Sequence, residues 1–457
     1  MNSFKPMLLT SLKSYDRAQF AKDVTAGIIV AIIALPLSIA LALASGVGPE
    51  AGIFTAIVAG FVISALGGSC VQIAGPTAAF ATIVAGIVAR DGLEGLMTAT
   101  ILAGVFLIIM GFCHFGSLIK FIPYTITTGF TSGIAVTIVI GQLKDFCGIT
   151  YPDGVKPIET MEKLKAFAEN FSTISPDALI VGGVSLAILI VSPLIFKKIP
   201  GSLIAVIAGI LMVQFLPLHV STIGNLYTIS NALPTLHLPV FDMKLIQSAI
   251  PNAFTIAVLA AIESLLSCVV ADGMINSKHR SDTELIAQGA GNIASALFGG
   301  IPATGAIART AANIKNGGRT PVAGMVHSIT LVIVLVVLMP FAGMIPMPTI
   351  AAILFLVAYN MCQWRTFVHL VRTAPKSDII VLFTTFVLTV VFDLVVAIEI
   401  GMVLACLLFI KRMSEETHAD SWVYVDDDSP AVDEHLQKLP LEIRVYEITG
   451  PLFFGAA

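Results

Sequence analysis

Charge is what this chain is shortest of. Asp, Glu, Lys and Arg together make up 12% of its 457 residues, where a soluble globular domain carries about 25%. That leaves too few charges to solvate an ordinary surface and fits one that faces lipid. There is no basic excess either. The net charge is −4, so a nucleic-acid partner is not expected. Cysteine is scarce and scattered: Cys70, Cys113, Cys147, Cys268, Cys362 and Cys406 sit mostly in or beside apolar runs, without metal-ligand spacing. They read as small packing residues. His114, His279 and His327 are likewise isolated, with no metal partners at useful spacing. No nucleophile–base pair or metal cluster is in view, so the chain does not read as an enzyme and no cofactor is expected. No cleavable leader is visible. The polar, basic start (Lys5, Lys13, Arg17, Lys22) runs straight into a long apolar segment, which reads as a first membrane span.

What the chain has is apolar sequence, 56% of it, in runs of membrane-spanning length. Spans are expected at 23–44, 50–67, 74–89 (short), 94–113, 118–141, 178–196 and 200–217. A more polar stretch, 218–249, follows. Further spans are expected at 250–272, 283–300, 303–315 (short), 321–343, 347–363, 377–392 and 393–411. This predicts an all-α polytopic membrane protein of 14 transmembrane segments, seven on each side of the polar stretch. With a cytoplasmic N-terminus, most of the 25 Lys and Arg fall in cytoplasmic loops and tails. Arg90, Lys144, Lys156, Lys163, Lys165 and Lys244 fall outside, mostly in one long loop, and long loops follow the positive-inside bias weakly. The expected setting is a cell inner (plasma) membrane bilayer, crossed many times, with both termini cytoplasmic.

An odd number of segments per half inverts the second copy relative to the first, an arrangement common in secondary transporters. The third segment of each half is unusual. Val71 to Phe80 (VQIAGPTAAF) and Gly299 to Thr310 (GGIPATGAIART) each open on a Gly/Pro break and then run small and helical. Both are too short to span about 30 Å as helices. Each therefore reads as a short extended entry followed by a half-helix that begins near the midplane. A half-helix N-terminus presents unpaired N–H groups and a positive dipole end, so two of them facing each other form an anion site. The expected substrate-binding residues are Thr77, Ala78 and Ala79 from segment 3, and Gly305, Ala306, Ile307 and Ala308 from segment 10, acting mainly through main chain. The plainer reading of the same small residues is tight helix packing.

Arg309 lies one turn into segment 10, in an otherwise uncharged stretch. A charge at that depth costs roughly 3 kcal/mol on insertion scales, so it requires a partner or a wet cavity. It either adds positive potential to the anion site or forms a structural ion pair, with Glu263 as the candidate partner. Glu263 is the carboxylate in the middle of segment 8. It could carry a coupling proton, hold a sodium ion together with Ser267 one turn later, or simply balance Arg309. Asp393 and Glu399 read as solvated residues near a membrane surface. Asp272, Lys278 and Arg280 read as anchors at the cytoplasmic end of segment 8. After Arg412 the chain turns polar and acidic, with Asp426, Asp427 and Asp428 in a row. Leu441 to Phe454 then alternates like a strand.

These residues resemble the SulP family, the bacterial sulfate-permease relatives of the animal anion exchangers, over essentially the whole chain. The resemblance is carried by Gly48 to Phe54 with Gly67 to Ser69, by Gln72 to Ala78 (QIAGPTA), by Ala261 to Ser267 (AIESLLS) and, most closely, by Gly299 to Gly318. Ala51 and Phe54 stand where tyrosines are common. The resemblance implies two inverted seven-segment repeats, with segments 1 to 4 and 8 to 11 forming a core and the others a gate. It also implies a homodimer and an elevator-like movement of the core. The domains then run 1–22 (cytoplasmic N-terminus), 23–217 (first repeat), 218–249 (extracytoplasmic connection), 250–412 (second repeat) and 413–457. The last is a cytoplasmic linker with the first strand of a truncated STAS domain. Family members carry sulfate, bicarbonate, chloride or dicarboxylates. Sodium–bicarbonate members have an aspartate at the position of Glu263 and lack an arginine at that of Arg309, so this pair leans towards proton coupling. Leu37 and Leu41 stand where many animal members have a glutamine and an aromatic residue, leaving an apolar lining from segment 1. The expected function is secondary active transport of a small anion (sulfate, bicarbonate or a dicarboxylate) coupled to a proton. The alternatives are a sodium-coupled bicarbonate transporter, an uncoupled anion channel or exchanger, and a nucleobase permease on the same fold.

Overall fold

The computed structural model describes residues 4–117, 123–152, 157–195, 200–239, 242–392, 394–415, 418–422 and 445–449. The helices are α1 (Met7–Ser11), α2 (Arg17–Ala44), α3 (Pro49–Leu66), α4 (Ala78–Phe112), α5 (Tyr124–Cys147), α6 (Thr160–Glu169), α7 (Pro176–Ile195), α8 (Gly201–Phe215), α9 (Ile223–Leu226), α10 (Met243–Ile275), α11 (Ser281–Leu297), α12 (Ile307–Lys315), α13 (Val322–Ala342), α14 (Met347–Cys362), α15 (Trp364–Thr373), α16 (Lys376–Val391) and α17 (Leu394–Glu415). Among the described residues, eight helices are long and apolar enough to cross a membrane by length and composition. Helix occupies each of the fourteen predicted segments, with shifted ends. Segments 3 and 4 are joined in α4 and separated by a kink at Gly92, whose φ of +69° and ψ of −168° no helical residue adopts. Segment 8 begins at Met243 rather than 250, because Asp242 caps it by accepting the Lys244 N–H. Short helices α6 and α15 lie in stretches between spans that were read as loops. α6 is started by a capping box between Glu159 and Glu162.

The packing repeats itself when each segment is exchanged for the one seven places on. α4 packs on α10 and α11, and the equivalent α13 packs on α2 and α3. α5 packs on α16, and the equivalent α14 packs on α7. α3 and α11, which exchange with each other, are in contact, and so are α5 and α14, which also exchange with each other. The helices sort into one group of α2, α3, α4, α10, α11, α12 and α13 and a second of α5, α7, α8, α14, α16 and α17, with sparser contact between the groups than within them. Small residues allow these crossings. At the α4–α11 crossing, a methyl on Gly104 would sit 2.7 Å from the Gly289 carbonyl, and one on Gly289 2.4 Å from the Gly104 carbonyl, so the two backbones touch.

Residues before and at the start of α2 strap one end of the first group together. The Met7 N–H donates to the Gly67 carbonyl at 2.8 Å. Arg280 reaches the Lys5 carbonyl at 2.6 Å and Thr10 Oγ1 at 3.1 Å. Asp23, fully buried, accepts from Tyr15 Oη, Gln19 Nε2, the Arg319 N–H and Thr320 Oγ1 at 2.6–3.0 Å. Burial and the Asp23 carboxylate push the Tyr15 phenol up to about 12, so it remains a donor through the neutral range. Asp23→Asn would keep one oxygen for the Gln19 and Arg319 N–H groups and turn its own N–H groups on the Tyr15 and Thr320 hydroxyls, which can accept but would lose the acceptor of their O–H groups. An unsatisfied buried donor costs about 1–3 kcal/mol, and the expected result is a lower melting temperature in detergent for Asp23→Asn than for the native protein.

The C-terminal expectations are only partly within the described residues. Strand β3 (His418–Trp422) pairs antiparallel with β4 (Val445–Thr449), from His418 opposite Thr449 to Trp422 opposite Val445. Residues 418–422 are therefore a strand where a linker was expected. The acidic run at 426–428, the flanks of the expected strand at 441–444 and 450–454, and Asp393 lie outside the described residues.

Candidate anion site

Both breaks are extended where the sequence predicts. Strand β1 (Ala74–Gly75) pairs antiparallel with β2 (Thr304–Gly305), Ala74 opposite Gly305 and Gly75 opposite Thr304. The ladder continues with the Ala306 N–H donating to the Ile73 carbonyl at 2.9 Å. The two repeats thus meet through main chain at the points where their half-helices begin. Side chains fix the strands from behind. Asn292 clamps the Ala303 peptide with two 2.8 Å hydrogen bonds. Thr304 Oγ1 donates to the Ala260 carbonyl at 3.0 Å, and Asn313 Nδ2 to the Val71 carbonyl at 2.9 Å. Thr310 Oγ1 accepts the Ile73 N–H at 3.0 Å.

No side chain caps either half-helix. Thr77, at the N-cap of α4, turns its hydroxyl away from its own helix, and Ala306, at the N-cap of α12, has none to offer. The first-turn N–H groups of Ala78, Ala79, Ile307 and Ala308 are left for another acceptor, at two positive dipole ends. Thr77 is half-buried, Ala78, Ala79 and Gly305 are buried, and Ala306 is half-buried. Ile307 and Ala308 are exposed, Ile307 by 41%. The α12 end of the site is therefore open, while the α4 end presents main chain from within the packing.

Arg309 is 2% exposed. Its Nη2 crosses to the other repeat and donates to the Pro76 carbonyl at 2.9 Å, while Nε and Nη1 are buried without a partner. Gly75 makes room for it, since a methyl there would sit 2.4 Å from Nη1. Glu263, half-buried, accepts instead from Thr77 Oγ1 at 3.0 Å. Among the described residues Arg309 and Glu263 form no ion pair. The structural pairing weighed from the sequence is absent, and the guanidinium charge is uncompensated. Ser267 does not join Glu263 either. It is fully buried and donates to Thr310 Oγ1 at 3.4 Å, which leaves the pairing weighed for a sodium ion unformed.

Of the other residues singled out, His279 sits 2.7 Å from Asp272 and His114 2.7 Å from Asp282. Arg280 belongs to the N-terminal strap, and Glu399 is exposed. His327 is fully buried in the field of Arg309, with neither ring nitrogen paired. Sequence reasoning passed over Gln72 and Glu284, which hold the two breaks from behind. An acid inside the predicted segment 9 was a usable signal for Glu284. Three of its four hydrogen-bond partners, Gly68, Ser69 and Gln72, lie 212 or more residues earlier and were not legible.

The chain is similar to known proteins over most of its length. A model of the sulfate permease family matches residues 20–385. YvdB of Bacillus subtilis (strain 168), named a putative sulfate transporter, is 40% identical over 446 residues, covering 97% of this chain and 82% of that one. BicA of Picosynechococcus sp., named a bicarbonate transporter, is 34% identical over 451 residues, covering 95% and 79%. The solved transmembrane domain of a cyanobacterial bicarbonate transporter, BicA, superposes with a TM-score of 0.75 at 30% identity, covering 84% of this chain and 98% of that one.

Proposed function

This chain belongs to the sulfate permease family of anion transporters, and on that premise we propose that it accumulates a small anion (sulfate, bicarbonate or a dicarboxylate) by proton symport. The observation that carries this reading is the hydrogen bond from Thr77 to Glu263, which puts a carboxylate at the N-terminal end of half-helix α4. Ionised, that carboxylate opposes an anion held on the Ala78 and Ala79 N–H groups. Protonated, it does not. Anion and proton are then best bound together, which is the requirement for symport. Two uncapped helix ends and the uncompensated Arg309 charge supply the attraction. The sorting of helices into two groups with sparse mutual contact supports an elevator movement of the group that carries the site. The clustering of Lys and Arg supports cytoplasmic termini in an inner membrane, and the family resemblance supports a homodimer.

The test is uptake of radiolabelled sulfate, bicarbonate and fumarate into proteoliposomes under an imposed proton or sodium gradient. One of the three is expected to accumulate above its external concentration only when protons run inwards. Accumulation that follows sodium instead would reassign the coupling ion. Flux that ignores both gradients would make the protein a channel or exchanger, and competition by uracil would make it a nucleobase carrier.

A further inference from the structure

We infer that Glu284 is a positioning residue that sets the geometry of the anion site through Gln72, a role that rests on the anion being held at the two breaks. Glu284 lies at the start of α11, is 0% exposed and forms no ion pair among the described residues. Burying an unpaired carboxylate is expensive unless hydrogen bonds saturate it. Here four do. Oε2 accepts the N–H groups of Gly68 at 2.9 Å and Ser69 at 3.2 Å, just before β1. Oε1 accepts Gln72 Nε2 at 3.1 Å and Gln288 Nε2 at 2.9 Å. The other end of the Gln72 amide accepts from Cys268 Sγ, so both ends of that amide are held and its orientation is determined.

Gln72 in turn sets how closely β2 can approach. Its Nε2 lies so near Gly305 that a methyl at that position would be 2.0 Å away. Gly305 pairs with Ala74 and stands two residues before α12. One carboxylate therefore reaches both breaks: the entry to β1 through the Gly68 and Ser69 N–H groups, and the entry to α12 through Gln72. An apolar plug would fill the same space but would not fix the hydrogen-bonding direction of Gln72. Glu284 has no exposed surface and so does not touch the anion; it acts through the main chain that does.

The experiment compares Glu284→Gln, Gln72→Glu and the double exchange for uptake of radiolabelled sulfate and bicarbonate, reading KM and maximal rate separately, with melting temperature measured on the same preparations. Glu284→Gln turns an amide N–H towards Gln72 Nε2, a donor whose amide is held the other way round by Cys268. Its KM is expected to rise about tenfold with the maximal rate within about twofold of native. In the double exchange, the amide oxygen at position 284 accepts the Gly68 and Ser69 N–H groups. The amide nitrogen there donates to the carboxylate now at position 72 and to Gln288 Oε1, which has no partner in the native structure. Cys268 keeps an acceptor. The double exchange is therefore expected to bring KM back to within about threefold of native and to recover melting temperature lost in the single variants. A lower melting temperature with native KM in Glu284→Gln would mark Glu284 as structural only and overturn the proposal. A raised KM that the double exchange leaves unrestored, with additive losses, would also overturn it. If the native protein shows no saturable uptake of either anion, the anion-site reading fails and this role fails with it.

Discussion

Glu263→Gln is expected to abolish gradient-driven accumulation while leaving the anion able to bind. The substitution keeps the shape of the side chain and an oxygen to accept from Thr77, whose hydroxyl lies 3.0 Å from Glu263 Oε2. It removes the ability to gain and lose a proton. An inward gradient of one pH unit is worth about 1.4 kcal/mol per coupled proton, or about tenfold in accumulation, and all of that should be lost. The direction of the pH dependence follows from the charges. As pH rises, Glu263 ionises beside the helix end and anion affinity falls, so the native KM should climb with pH. In Glu263→Gln the KM should be nearly flat over the same range, because no carboxylate remains there to ionise. Concentrative uptake by Glu263→Gln, or a KM as steep in pH as that of the native protein, would rule out Glu263 as the coupling group.

The second large effect concerns Arg309 and Gly75 together. Arg309→Ala removes a buried positive charge that no acid among the described residues pairs with. At an effective dielectric of about 20, a unit charge about 8 Å from an anion is worth about 2 kcal/mol. The lost hydrogen bond to the Pro76 carbonyl adds about 1.5–3 kcal/mol at that break. Together these predict an increase in KM of about 10²-fold or more. Arg309→Lys should recover part of it, since the charge returns without the planar group that reaches the other repeat. Gly75→Ala should resemble Arg309→Ala, because the added methyl would occupy the space 2.4 Å from Nη1. In an Arg309→Ala background the same methyl meets no guanidinium, so its effect should shrink to a few-fold. Uptake kinetics of the native protein, Arg309→Ala, Gly75→Ala and their double variant test this, and independent, multiplying effects would show that the two residues do not act through one contact.

Much of this could be read from the chain. Apolar run length marked the spans, and the Gly/Pro breaks at 75–76 and 302–305 marked where helix stops and restarts, because those residues set backbone options locally. The partner of Arg309 was not readable. Glu263 was the acid at matching depth, yet one guanidinium nitrogen donates to the Pro76 carbonyl and the other two stay unpaired, and main-chain acceptors leave no mark in a sequence. The Asn292 clamp and the Glu284–Gln72 contact were hidden for a related reason: their geometry depends on how the two repeats cross. Linker helices α6 and α15 were missed because short amphipathic stretches carry little hydropathy signal beside the spans.

The four-residue ladder between β1 and β2 bears on how the protein must work. Main-chain hydrogen bonds join the two half-helix entries, so under the proposed elevator movement a site held between them would travel whole rather than open by drawing its halves apart. The cargo would then meet the same donors whether it arrives from one face of the membrane or the other. Affinities measured from the two faces should be nearly equal, and the protein itself would favour neither import nor export. The sign of net flow would be dictated by the ion gradients across the bilayer, and reversing them should run the carrier backwards.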